Sequence, residues 1–572
     1  MEKGKETYKL PEGWIWTNVS DLFVIIGGGT PTKGNSRYWG GKINWASVKD
    51  VKSQFITTTI DKITKEGVEN SNTKIAETGD IILVTRISPG QVSIVKTQTA
   101  INQDLKILKL FGDMNPSFVY HLLKSQNQQF IEASSGTTVK GLKVSDLAKI
   151  ELPLPPLQEQ QRIVSKIESL FSELDEAEKG LYKAKKQLEV YRQVLLKSAF
   201  EGEMTKNWRK KHSSFKHLPQ DLIEKDLISR RSYWIKRKEM EFEEKGKQPK
   251  TLDWQKKYPI PIPLTEEKII IPKEWERTNW SQISNWITYG FTKTMPHEKT
   301  GNPIITGKNV IHNKISFEQV HFTSEDAFNS LSEKDIPKCG DILITKDGTL
   351  GRAAIVEEEM FCINQSIAVI WLRSTIMNKQ FLLYYIQTPF VQSWIKENAK
   401  GSTIKHLSVS DFPRLEIPIP SLEEQSKIVE ELELQFTLIE NLEKTIERSL
   451  KDIVIFKHSI LKKAFEGTLI VQVSTDEPAN LLLQKIRIEK SEYLKAQIEL
   501  DKLKPKKKRQ MDKKKTVLEI LKESKEPIST QELWTNSIHE GDIESFYSEI
   551  KEIFDQLDEI KESTESLLSL KK

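Results

Sequence analysis

Cysteine is almost missing from these 572 residues: Cys339 and Cys362 are the two present, and their spacing fits neither a metal knuckle nor a redox pair. That excludes a disulfide scaffold and reads as ordinary buried thiols in a reducing compartment. Long apolar runs are missing too. No stretch approaches the ~18 apolar residues of a membrane span, and the opening MEKGKETYKL carries no apolar leader, so a cytoplasmic location with no membrane contact is expected. A strong charge of one sign is also absent, since 86 basic against 81 acidic residues leave +5. Total charge therefore names no partner, and its distribution matters more. Residues 206–250 hold 14 Lys/Arg against 7 Asp/Glu, a local +7, and KPKKKRQMDKKK (504–515) is denser still.

Catalytic signatures are equally scarce. IIGGGTPTKGNS (25–36) places Gly29 and Gly34 at the separation of a phosphate-binding loop, but Asn35 stands where that loop needs lysine. Pro-Pro occurs at 155–156, after Leu154, so the N/D-P-P-Y/F element of adenine methyltransferases is not formed. No histidine cluster has metal-ligand spacing, and no Ser/His/Asp or nucleophile-elbow pattern stands out. The chain is expected to catalyse nothing alone and to hold no metal or cofactor.

What is present is a duplication. LPLPPLQEQQRIV (152–164) returns as EIPIPSLEEQSKIV (416–429), and LPEGWIWTN (10–18) as IPKEWERTN (271–279). GDIILVTR (79–86) pairs with GDILITK (340–346), INQD (101–104) with INQS (363–366), and SGTTVKGLKVSDL (135–147) with KGSTIKHLSVSDF (400–412). AFEG closes both copies, at 199–202 and 464–467. Order is kept throughout, so the chain is two copies of one unit. The repeated Trp14 and Trp275 read as core packing. Short β-branched runs and Gly-rich turns make the first part of each copy a mixed, β-rich domain.

The second part of each copy reads as one long helix. Pro156 suits a first helical turn, Ser421 and Glu424 form a capping-box pattern, and Gly202 and Gly467 stand at helix ends. Ile163, Ile167, Leu170, Leu174, Ala177, Leu181, Ala184, Leu188, Tyr191 and Leu195 alternate four and three residues apart. Their counterparts are Ile428, Leu432, Gln435, Ile439, Leu442, Ile446, Ser449, Ile453, Phe456 and Ile460. This is a coiled-coil seam, and two matched seams in one chain predict intramolecular pairing. Connectivity makes that pair antiparallel, with the β-rich domains at opposite ends. The expected fold is α+β: two mixed, β-rich domains separated by two long helices in an antiparallel coiled coil, with a pseudo-twofold repeat and a small helical C-terminal extension.

A twofold-related pair of domains on a rigid spacer suits a ligand that repeats along a line, as duplex DNA does every ~34–36 Å. The rods match closely while the β-rich parts match at scattered anchors, which predicts a bipartite, asymmetric target. The two P-L-P-x-L-x-E-Q-like turns, each after a G-[ST]-T-x-K-x-L element, resemble those of the DNA-specificity subunits of type I restriction–modification systems. The GGTPT…RYWGGKINW run (28–45), AINQD (100–104) and AFEGEMTKNWR (199–209) are similar to that family as well. The likeness covers about residues 8–505. It implies target recognition domains at 1–150 and 271–415, conserved helices at 151–202 and 416–467, and basic helical linkers at 203–270 and 468–511. Residues 512–572 lie beyond it and read as a small helical, helix-turn-helix-like domain that either adds nonspecific DNA contacts or grips a partner subunit, its acidic residues favouring the grip. The implied partners are double-stranded DNA, two methyltransferase subunits and motor-nuclease subunits, those partners using S-adenosylmethionine, ATP and Mg.

Loop Lys, Arg and Thr contact phosphates, while Arg, Lys, Asn and Gln read base edges. Candidates in the first domain are Thr30, Thr32, Lys33, Arg37, Tyr38, Arg86, Thr138, Lys140 and Lys143. In the second they are Lys293, Lys308, Asn309, Lys346, Arg352, Thr403, Lys405 and His406. The repeated T-x-K pairs, Thr138/Lys140 and Thr403/Lys405, rank first. Rival readings are a protein-binding coiled-coil scaffold, and the recognition subunit of a methylation-only or type IIB-like complex.

Overall fold

The computed structural model describes every residue except 1–7, 136–140, 213–219, 248, 265–268, 358–359, 373, 403–404, 504–514, 525, 541, 563–564 and 572. Each repeat is clipped shut by a two-stranded ribbon. Ile15–Asn18 pairs antiparallel with Glu151–Leu154, and Glu276–Asn279 with Glu416–Ile419. Pro153 lies opposite Trp16 and Pro418 opposite Arg277. A proline offers no ladder donor, and a ribbon of two strands, being all edge, accommodates it.

Between the ends of its ribbon the first head holds two sheets. One has five strands, in the order Val24–Gly27, Leu105–Lys109, Ile81–Val84, Val92–Val95 and Phe55–Ile56; the other has four. The second head has a four-stranded sheet (Ser284–Tyr289, Ile367–Leu372, Ile342–Thr345, Ala353–Ile355) and a three-stranded one. The repeated GDI-runs become Ile81–Val84 and Ile342–Thr345, buried along their whole length. An unbroken apolar run marks a strand covered on both faces. Helices then pack on each sheet. Pro116–Ser125 and Lys379–Ile386 start at Asn115 and Asn378, whose side chains accept first-turn N–H groups.

Both rods, Leu157–Phe200 and Leu422–Phe465, are 44 residues long, roughly 66 Å at 1.5 Å per residue. Their ends are built alike. Gly202 N–H donates to Ala199 O (3.3 Å) and Glu203 N–H to Ser198 O (3.0 Å); Gly467 and Thr468 repeat the pattern on Ala464 and Lys463. Both glycines are left-handed, at φ 75° and 73°, as this helix stop requires. Lys457 pairs with Asp175 (2.7 Å) and Glu178 (3.2 Å), Lys185 with Glu447 (3.0 Å), and Arg192 with Glu443 (3.8 Å). Partners on the second rod descend as the first advances, so the rods are antiparallel. Each rod ends inside the other head: Leu196, Ala199 and Phe200 share a core with Trp275, Phe381 and Tyr385. Leu461, Ala464 and Phe465 share one with Trp14, Phe118 and Leu122.

The seam departs from its expected course in mid-rod. Ile163, Ile167, Ile428, Leu432, Ile439, Ile446 and Ile453 are buried, but Ala177, Tyr191, Leu442 and Phe456 are exposed. Glu178, Arg192, Glu443 and Lys457, one residue further on, face the partner rod instead and form the ion pairs above. On the second rod the shift comes early, at Phe436, which is buried where Gln435 was expected, and from there Ile439, Ile446 and Ile453 keep seven-residue spacing. Such an extra four-residue step is a stutter, which locally unwinds a coiled coil.

Each rod is followed by a helix that clasps the head it has reached. Gln220–Glu244 lies on the second head, where Arg237 pairs with Glu333 (3.0 Å) and stacks over Trp371 (4.8 Å). Ala479–Leu503 lies on the first, inserting Ala479, Leu482 and Ile486 into its core, and Glu489 accepts the Gly112 N–H (2.7 Å). The C-terminal unit needs a correction, because it is not all helical. Helices Val517–Glu523, Thr530–Asn536 and Ile543–Glu552 pack on a three-stranded sheet of Ile528–Ser529, Glu565–Leu570 and Leu557–Glu562. Helix, strand, two helices and a hairpin make the winged-helix order. Leu568 and Leu570 face inward at strand spacing, a signal too short to stand out in six residues.

Candidate nucleic-acid interface

The proline turn orients each head, and its Glu-Gln pair does the holding. Gln425 Nε2 donates to Pro420 O (3.0 Å) and Ile376 O (2.9 Å), and its Oε1 accepts the Asn378 N–H (2.7 Å). Gln160 Nε2 donates to Pro155 O (3.2 Å). Beside them, Glu159 accepts the indole N–H of Trp14 (2.9 Å) and Glu424 that of Trp275 (3.0 Å). Each carboxylate takes a further donor from beyond the other rod. Gln472 reaches Glu159 (3.3 Å), while Thr205 (2.6 Å) and Arg209 (2.9 Å) reach Glu424. Burial raises the Glu159 carboxyl above its ordinary range, against the opposing hydrogen bonds from Trp14 and Gln472. The expected capping box at Ser421 is half-formed: its Oγ accepts the Glu424 N–H (3.3 Å), but the Glu424 carboxylate is turned inward to Trp275.

With the head fixed, the repeated loops fall together. In the first head the loop before the turn joins the exit of Ile81–Val84, with Leu142 N–H donating to Thr85 O (2.7 Å) and Gly141 bridged to Arg86. In the second, Leu407 N–H donates to Lys346 O (2.8 Å) and Gly348 N–H to Lys405 O (3.2 Å). Asp347 then gathers two candidates, Lys346 Nζ and His406 Nδ1, each at 2.8 Å from Oδ1. Arg86 lies 3.6 Å from Asp104 and stays more than half exposed. Thr138, Lys140 and Thr403 fall outside the described residues, so the geometry of the T-x-K pairs rests on their neighbours.

The first head also carries an open cleft of about 1150 Å³. Its walls are the Gly-rich loop (Gly28, Gly29, Thr30, Thr32, Lys33), the Ser47–Lys49 turn, the Asn70–Asn72 turn and Asn102–Asp104, with Trp39 and Trp45 alongside. Glycine is required here by close approach: a Cβ on Gly29 would stand 2.6 Å from the Asn72 carbonyl carbon. Indole donors hold the loop, Trp45 Nε1 on Gly29 O and Trp39 Nε1 on Thr32 O, both 3.2 Å. Thr30 donates to Gln103.

The remaining candidates separate by what their side chains already do. Lys33, Arg37, Lys143, Lys308 and Lys405 are exposed. Arg352 is exposed with one long bond to Val310 O (3.5 Å), and Lys293 is bonded to Ser330 Oγ (2.8 Å). Tyr38 is half-buried, its backbone so close to Gly67 that a Cβ there would lie 2.6 Å from its carbonyl oxygen. Asn309 is corrected outright as a base reader. It is buried, its Oδ1 accepts from Thr306 N–H (3.1 Å) and Oγ1 (2.9 Å), and its amide donates to Ser316 O (3.2 Å). Sequence reasoning missed Lys49, Asn72 and Gln103 on the cleft; the Gln of the repeated I-N-Q anchor was the one visible signal. Among the described residues no group of three or more His, Cys, Asp or Glu is arranged to hold a metal ion.

Two heads of one design, held apart on antiparallel rods with polar loops at corresponding places, define a bivalent recognition protein. The sequence model of the family described as "Type I restriction modification DNA specificity domain" matches residues 11–185 and 272–452, and the chain belongs to that family. It is a DNA-specificity subunit of the type I restriction–modification class. The type I restriction enzyme EcoBI specificity subunit of Escherichia coli is 26% identical over 389 residues, 66% of this chain and 72% of its own length. The MjaIX specificity subunit of Methanocaldococcus jannaschii is 24% identical over 482 residues, 81% of this chain and 95% of its own. A solved chain from work on complex assembly and conformational transition of the type I R-M system shares the fold, with TM-score 0.56 at 20% identity. That match covers 81% of this chain and 100% of the other.

Proposed function

We propose that this subunit reads a bipartite, asymmetric DNA target, one half-site per head, with the paired rods fixing the unread spacer between them. The observation that carries this is the placement of the heads: equivalent loop pairs recur at opposite ends of two 44-residue antiparallel helices. A roughly 66 Å rod is commensurate with two duplex turns. The subunit catalyses nothing alone and takes no cofactor. Methylation and cleavage belong to modification and restriction subunits that it brings to the site in the cytoplasm. Docking of modification subunits on the rods is supported by apolar residues left on their outer faces, Tyr182, Val190 and Val194 on the first and Leu434, Leu438 and Leu442 on the second. The last three follow one another at single-turn spacing, a stripe a partner helix covers. The test is DNA binding by the chain assembled with modification subunits. Specific binding that weakens steeply with salt is expected, and failure to bind any duplex would sink the proposal.

A further inference from the structure

We propose that the first head reads its half-site with neutral amides rather than cations, Asn72 and Gln103 touching base edges inside the Gly-rich cleft while Lys33 and Lys49 hold phosphates at its rim. This rests on the DNA-reading function above and assigns its chemistry. Three observations lead to it. The cleft lining sets Asp61, Glu69 and Asp104 against Lys33 and Lys49, with Glu69 paired to Lys65 (3.8 Å) and Asp104 to Arg86 (3.6 Å), a nearly balanced surface that suits an uncharged base edge better than a phosphate. Asn72 is exposed there with no side-chain partner among the described residues, and Lys33 and Lys49 are exposed and unpaired on the same terms.

The walls are also held in advance. Gly29 packs against the Asn72 backbone, Thr73 Oγ1 next to it donates to Ile101 O (2.8 Å), and Trp45 ties Gly29 in place (3.2 Å). Gln103 is set by Thr30 on its oxygen and by Asp104 Oδ2, 3.3 Å from its nitrogen. An amide held this way keeps spare donor and acceptor capacity at a fixed aim, which is what a base edge needs from a reader. In the second head Gln365 of the INQS repeat stands at the place of Gln103 and is exposed, while the side-chain amides of Asn309, Asn313 and Asn364 are bonded within that head.

The experiment compares the motif methylated by the assembled complex carrying the wild-type chain, Asn72→Ala, Gln103→Ala or Lys49→Ala, each mapped by long-read sequencing. Asn72→Ala or Gln103→Ala should relax one base position of one half-site, discrimination there falling about tenfold, within the range of a lost amide–base pair. Lys49→Ala should keep every motif position, lower affinity for all sequences alike and reduce the salt slope by about one. Asn72 is exposed, so its variant keeps the thermal melt of the wild type. If both amide variants retain the full wild-type motif, the inference is overturned and the bipartite reading stands. If the wild-type complex methylates no defined motif, both fall together.

Discussion

At the scale of single residues, the two buried glutamates are the sharpest comparison the duplication offers. Glu424 balances Arg209, whose side chain is 15% exposed, as well as Thr205 and Trp275. Glu159 meets neutral donors, because Arg162 is paired with Asp476 instead. Removing one member of a buried ion pair costs about 3–5 kcal/mol, whereas losing neutral hydrogen bonds costs about 1–3. Glu424→Ala should therefore lower the denaturant midpoint of the second head clearly more than Glu159→Ala lowers that of the first; equal losses would refute the assignment. His121 gives a pH test. It is buried between Tyr120 and the rod's Phe171, ring centroids 5.1 and 5.7 Å away, and desolvation foremost, with Lys124 adding to it, lowers its pKa from 6.5 to about 4. The unfolded chain takes up a proton below about pH 6.5 that the folded one refuses, so stability falls as pH drops from there towards 4. At the lower limit the loss is about 3 kcal/mol. His121→Leu should flatten Tm between about pH 7 and 5 relative to wild type; parallel curves would contradict this.

At the scale of elements, the turns and rods were legible in the sequence because their signals are local and repeated. Helix ends at Gly202 and Gly467, the antiparallel direction and the packed Trp14 and Trp275 all follow from motif and connectivity. The mid-rod seam did not follow, since a strict heptad reading places Gln435 where Phe436 packs and so misses the one-residue step that leaves Leu442 and Phe456, like Tyr191 on the first rod, exposed. Base-reading chemistry was the least legible part. Asn309 and Asn72 look alike as letters, and tertiary contacts alone make one a buried brace and the other an exposed amide. The turn itself yields a prediction. Glycine at Pro155 and Pro156, or at Pro420, frees the backbone between ribbon and rod. Discrimination between spacer lengths should then loosen before half-site choice does, scored on duplexes with spacers lengthened or shortened by single base pairs. Loss of half-site choice first would assign the prolines to reading rather than aiming. The C-terminal winged-helix unit carries the acidic helix Ile543–Glu552, ill suited to phosphates. Deleting residues 512–572 should weaken assembly with partner subunits and spare DNA affinity; unchanged assembly would discard that role.

At the scale of the molecule, one arrangement accounts for the duplication. Each rod leaves its own head through a proline ribbon, enters the core of the other head, and is followed by a helix that clasps it. Neither head is complete without the far end of the opposite rod, so spacing and orientation are set by folding and not by a flexible link. The scaffold reading explains the rods but leaves the paired loop sets and the braced cleft without a purpose. The most direct test is a long-read methylome of a host expressing this chain with its modification subunits. A motif of two short, different specified segments separated by an unspecified spacer of one fixed length is the predicted result. A single contiguous motif, a spacer of variable length, or no motif at all would contradict the account.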